Sequence, residues 1–151
     1  MLTYLLILFV IALALAPLGH FLPSKRQRKV AGMREYAAVH GLFVEFRDAP
    51  AGSVPAAAAF SPGDVIYYGK RISARRAVPV GTGAWVQAPD GWRSLGRRLP
   101  VPVLLQNLPS DILAASVDEG SCGVYWVESS GEEGVECIRQ VLEHWNEELL
   151  R

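Results

Sequence analysis

Leu2-Thr-Tyr-Leu-Leu-Ile-Leu-Phe-Val-Ile-Ala-Leu-Ala-Leu-Ala-Pro-Leu-Gly-His-Phe-Leu22 contains no Lys, Arg, Asp or Glu in 21 residues, in a chain of 151 with 15 basic and 15 acidic side chains. As a helix rising about 1.5 Å per residue it would extend roughly 31 Å, close to the ~30 Å hydrocarbon core of a bilayer. A helix also satisfies its own backbone in that medium. The run therefore reads as a transmembrane anchor, with Pro17 and Gly19 marking its exit and His20 at the interface.

Pro23-Ser-Lys-Arg-Gln-Arg-Lys29 places four cations directly behind the run. Basic flanks stay on the inner side of a membrane, which predicts an outside N-terminus and a cytoplasmic remainder. The rival reading is a cleaved signal peptide, because Ala12-Leu-Ala14 and Ala14-Leu-Ala16 are both small-x-small. Three features oppose cleavage: no basic residue precedes the run, Pro17 follows the second site, and the cations lie behind it.

The rest of the chain reads as short alternating elements. Ser24 to His40 is predicted as a helix capped by Ser24 and stopped by Gly41, with Lys25, Arg26, Arg28, Lys29 and Arg34 on its polar surface. Leu42 to Asp48 alternates as a strand, and residues 49–62 are small, proline-broken and read as an excursion within the domain. Asp64 to Ile72 is a second strand. Ala77 to Ala88 is a third, interrupted at Gly81-Thr-Gly83. Ala88-Pro-Asp-Gly91 is a turn that makes Trp85 and Trp92 hairpin neighbours. Pro100 to Leu108 is apolar, Leu108 to about Ala115 is predicted as a short helix, and Cys122 to Glu128 as a strand. Ser130 and Glu133 form a capping box for a last helix, where Val135, Ile138, Leu142, Trp145 and Leu149 make one apolar stripe.

These elements predict an α+β protein: an anchor over residues 1–23, a basic juxtamembrane helix over 24–41, and a domain over 42–151. In that domain helices pack on one face of a small mixed or antiparallel sheet. The charge is segregated. Residues 1–110 hold 13 basic and 5 acidic side chains, a net +8, while 111–151 hold 2 basic and 10 acidic, a net −8.

The chain offers little catalytic pattern. His20, His40 and His144 form no His-Glu-x-x-His, and Cys122 and Cys137 form no Cys-x-x-Cys, so no metal is expected. The two cysteines read as free thiols. Gly120-Ser-Cys-Gly123 lacks the spacing of a nucleophile elbow and reads as a turn entering a strand. A thiolate pair of Cys122 with His144, or an unrecognised carboxylate pair, is the alternative that would make the chain a membrane-anchored enzyme. Gly81-Thr-Gly83 is an isolated fragment of a dinucleotide fingerprint, and Glu132-Glu133 reads as solvated surface. Neither a cofactor nor a small-molecule substrate is expected.

The informative cluster is Lys70, Arg71, Arg75, Arg76, Arg93, Arg97 and Arg98, interleaved with Tyr67, Tyr68, Trp85 and Trp92. With the basic helix it reads as solvated hairpins, or as a contact surface for anionic lipid headgroups or a membrane-protein partner. RNA held through phosphates and stacking is the weaker alternative.

Pro23, Lys25, Arg26, Gln27, Lys29 and Met33 resemble the junction of YajC-type accessory subunits of the bacterial preprotein translocase. Such proteins have one membrane helix, a basic run and a small cytoplasmic β-rich domain. The likeness covers about the first forty residues, and 121–150 extend beyond the family's plan. It implies a single-pass, non-enzymatic accessory protein of the bacterial inner membrane that associates with the translocase.

Overall fold

The computed structural model describes residues 1–16, 23–53, 64–72, 81–96 and 99–151. In chain order these form α1 (Leu2–Leu15), α2 (Lys25–Val39), β1 (Phe43–Glu45), β2 (Ile66–Arg71), β3 (Gly83–Ala88) and β4 (Gly91–Leu95). A 3-10 turn (Val103–Asn107), β5 (Ile112–Val117), β6 (Ser121–Trp126) and α3 (Gly131–Leu150) follow.

The expected membrane anchor is overturned. α1 has 14 residues, so it is only about 21 Å long at 1.5 Å per residue, against ~30 Å of hydrocarbon. No described helix is long and apolar enough to cross a membrane. α3 reaches 20 residues but carries charges such as Glu132, Arg139 and Glu147 along its length. Residues 17–22 of the expected span lie outside the described residues. The readings built on the span fall with it: a single pass, an outside N-terminus, a cytoplasmic domain at the inner membrane, an integral membrane partner, and a tethered accessory or enzymatic role.

Among the described residues the architecture is instead three helices and one six-stranded sheet in the order β1-β2-β6-β5-β3-β4, antiparallel at every pairing. β6 lies inside the sheet and all six of its residues are buried. Side chains alternate across a strand, so Cys122, Val124 and Trp126 face the helices while Ser121, Gly123 and Tyr125 face away. On the helix side they join Ile66, Tyr68, Ile112 and Trp85 against Val135, Ile138, Leu142 and Trp145 of α3 and Met33 and Ala37 of α2. A smaller apolar cluster on the opposite face gathers Val65, Tyr67, Val86, Ala114 and Tyr125. There Gly69 pairs with Gly123. A Cβ on Gly123 would come within 2.5 Å of both the Tyr67 Oη and the Tyr68 carbonyl oxygen, so the missing side chain is what lets the Tyr67 ring lie on the sheet.

α2 starts on a capping box. The Ser24 Oγ accepts from the Gln27 N–H at 3.2 Å, and the Gln27 Oε1 accepts from the Ser24 N–H at 2.8 Å. It ends at Gly41, whose φ of 77° is a left-handed conformation suited to glycine. Arg34 then ties α2 to the sheet by donating from Nε and Nη2 to the two carboxylate oxygens of Glu128 at 2.8 and 2.7 Å. Tyr68 Oη donates to the same carboxylate at 2.8 Å.

Two local expectations are corrected. Leu108 to Ala115 contains no helix: β5 begins at Ile112 and pairs with β3 and β6. Ser130 precedes α3 but makes no side-chain cap to it; its hydroxyl donates to Asp111. Trp85, opposite Ser94, and Trp92, opposite Gln87, lie on the same face of the β3–β4 hairpin, and the buried Trp85 ring also meets Trp145 edge-on at 5.5 Å.

Candidate functional site

The basic residues singled out from the sequence are dispersed. Lys70 and Arg71 are adjacent on β2, so the strand sends them to opposite faces. Lys70 Nζ reaches Glu143 on α3 at 3.1 Å, whereas the Arg71 guanidinium lies 5.3 Å from the Phe43 ring centre on the other side. Arg93 pairs with Asp90 across the β3–β4 turn, Trp92 is half-buried, and Trp85 is in the core. On α2, Arg28 donates to the Pro23 carbonyl and Lys29 to the Ser129 carbonyl, while Lys25 and Arg26 are exposed. Arg75, Arg76, Arg97 and Arg98 lie outside the described residues. Among the described residues, therefore, the hairpin cations and aromatics do not share one surface.

A charged network instead crosses α2, α3 and β2. Tyr36 Oη donates to Glu136 at 2.9 Å, Arg139 bridges Glu136 and Glu143, and Lys70 completes the chain at Glu143. Arg139, Gln140 and Tyr36 hold the Glu136 carboxyl well below its usual range. Lys70 and then Arg139 lower Glu143. Each carboxylate is satisfied within the network, which makes it a fastening between layers.

The candidate reactive groups do not converge. Cys122 is fully buried, its Sγ lies 3.9 Å from the Leu142 carbonyl, and burial pushes its thiol up to about 12. His144 is exposed with Nδ1 on the Gln140 carbonyl at 3.1 Å, so the Cys122–His144 pair is not formed. Cys137 and His144 share a groove of about 330 Å³ between the 3-10 turn and α3. They stand seven residues apart on that helix, about 10 Å along its axis, beyond direct proton transfer. Both cysteines are free thiols. Among the described residues no three His, Cys, Asp or Glu side chains are grouped to hold a metal ion.

Two further surfaces stand out among the described residues. The first is α1, none of whose residues is buried. The second is a cleft of about 160 Å³ at one end of the sheet, lined by Phe43, Glu45, Arg47, Arg71, Asp118 and Ser121, with Gly120 at the β5–β6 turn. Arg47 lies 4.3 Å from the Tyr67 ring centre and donates to Glu45 at 2.8 Å and Asp118 at 3.2 Å. Asp118 Oδ1 accepts from the Gly120 and Ser121 N–H groups at 2.9 and 2.7 Å. Although burial opposes it, those N–H groups, the Ser121 hydroxyl and Arg47 hold the Asp118 carboxyl below its ordinary range. Of these residues the sequence pattern points to Arg71 and not to Arg47 or Asp118. Asp118-Glu-Gly-Ser121 did carry a signal, since an aspartate that caps its own turn is expected in that pattern.

No family model, curated protein or solved structure matches the chain. The resemblance to YajC-type translocase subunits accordingly finds no support, and with no helix to span a membrane it is withdrawn.

Proposed function

We propose that this chain acts by binding rather than catalysis, and that α1 is a docking helix enclosed by a protein partner. The observation that carries this reading is that α1 is apolar on every side and all of its residues are exposed. A helix hydrophobic all round belongs in an interior.

Area decides what kind of partner suits it. A cylinder of 14 residues, about 21 Å long and 10–12 Å wide, has a lateral surface of roughly 700 Å². Pairing with the α1 of a second copy would cover a stripe about 100° wide, roughly 200 Å². Stable interfaces bury about 800 Å² on each partner. Only a deep groove that surrounds α1 approaches that figure, and the groove must be apolar because Leu5, Leu6, Ile7 and Leu8 point to four different sides. The reading of binding over catalysis is supported by the buried Cys122 thiol and by the outward His144 ring.

The test places a photo-crosslinking residue, one at a time, at Leu5, Leu6, Ile7 and Leu8 of the full chain in its native cells. The reading expects the same protein to be captured from all four positions, and Ile7→Asp to abolish capture at Leu6. Capture of lipid, or of protein from one side only, would overturn it.

A further inference from the structure

We propose that the cleft between β1 and the β5–β6 turn binds a small oxyanion of the phosphate or carboxylate class, with Arg71 and Arg47 as its ligands.

Within the cleft, charge pairing separates Arg71 from Arg47. Among the described residues Arg34, Arg47, Lys70, Arg93 and Arg139 each hold at least one carboxylate within 4.0 Å, whereas Arg71, like Lys25, Arg26, Arg28 and Lys29 of α2, holds none, and of these Arg71 is the one that lines the cleft. It is exposed at the cleft and rests on the Phe43 ring, which leaves its charge and its N–H fork for a ligand. Arg47 has capacity as well. A guanidinium carries five N–H donors, and Arg47 commits Nε to Glu45 and one Nη1 donor to Asp118. Its ring contacts with Tyr67 and Phe43, at 4.3 and 5.9 Å, hold the plane of the fork in place. That stiffness suits bidentate recognition of an oxyanion.

Two carboxylates also line the cleft, and they differ. Asp118 is consumed by the turn: two backbone N–H groups, the Ser121 hydroxyl and Arg47 all donate to it. Glu45 is the replaceable one. Its side chain is 44% exposed and its contact in the cleft is the Arg47 Nε. An arriving oxyanion takes the Glu45 position on Arg47, Glu45 turns to solvent, and Arg71 closes on the remaining oxygens. The resident carboxylate thus competes for the site and weakens binding by its presence.

That competition supplies the test. Inorganic phosphate, and separately acetate, are titrated into the full chain at constant ionic strength while the Arg47 and Arg71 Nε resonances and the Gly120 amide are followed by NMR. Saturable shifts with either anion are expected. Arg71→Gln should weaken the response about tenfold or more, as loss of a charge-assisted pair does. Glu45→Gln should strengthen it severalfold, a gain that mere surface screening would not give. Shifts that never saturate, that chloride reproduces, or that ignore Glu45→Gln would overturn the assignment. The spectrum of each variant reports its folding, and the Glu45→Gln arm stands even if Arg71→Gln fails to fold.

Discussion

Glu128 concentrates more of the structure than any neighbour in sequence suggests. Its φ of 53° is left-handed, which costs a non-glycine residue about 1–2 kcal/mol. Its side chain is 6% exposed and accepts from Arg34 and Tyr68. Burial and then the Glu128 hydrogen bond push the Tyr68 hydroxyl well above its usual range, so it remains a donor. Truncation would leave Arg34 and Tyr68 without their acceptor. Glu128→Ala should lower stability by about 3 kcal/mol, the scale of breaking a buried charged pair. The urea midpoint reads this at unchanged slope, and a loss below about 1 kcal/mol would contradict the role. None of this was legible in sequence, because the partners lie 94 and 60 residues away.

At the scale of elements, the start of α3 depends on a residue from another segment. Asp111 Oδ2 accepts from the hydroxyls of Ser129 and Ser130 and from the Ser130 N–H. A carboxylate at that end also suits the helix dipole. Asp111→Ala should therefore cost about 1 kcal/mol, the usual price of a lost cap; a thermal melt checks it, and an unchanged midpoint would refute it. The same aspartate explains a misreading. Leu108-Pro-Ser-Asp111 looks like a helix start, but the acid caps α3 and leaves Ile112–Val117 free to pair as β5. Where information is local, the sequence was readable: Ser24 caps α2, Pro89-Asp90 turns the hairpin between β3 and β4, and the stripe from Val135 to Trp145 docks α3. The apolar run at residues 2–22 misled because length was counted from composition, whereas α1 extends over 14 residues. The cleft stayed hidden because it joins β1, β2 and a turn some seventy residues later.

For the molecule as a whole, pH should reveal which groups the core holds neutral. Burial pushes both Cys122, ordinarily near 9, and Tyr67, ordinarily near 10, up to about 12. The unfolded chain therefore loses those protons first. Their contribution is complete below about pH 9 and is lost as pH rises toward 12, at up to about 1.4 kcal/mol per pH unit for each group. Cys122→Ala should flatten the first part of that decline in urea midpoints taken between pH 7 and 11; parallel curves would contradict it. On the acid side Glu136 and Glu143 work with the opposite sign. Their lowered values add stability above about 4.5 that fades as pH falls, weakly and with salt dependence because both are solvent-facing. The strand order has its own consequence during synthesis. β2 and β5 both rest on β6, which the ribosome makes after either of them, and α3 comes later still. Until then two strands present bare hydrogen-bonding edges and the aromatic faces of Tyr68 and Trp85 are uncovered, the kind of surface that nascent-chain chaperones shield.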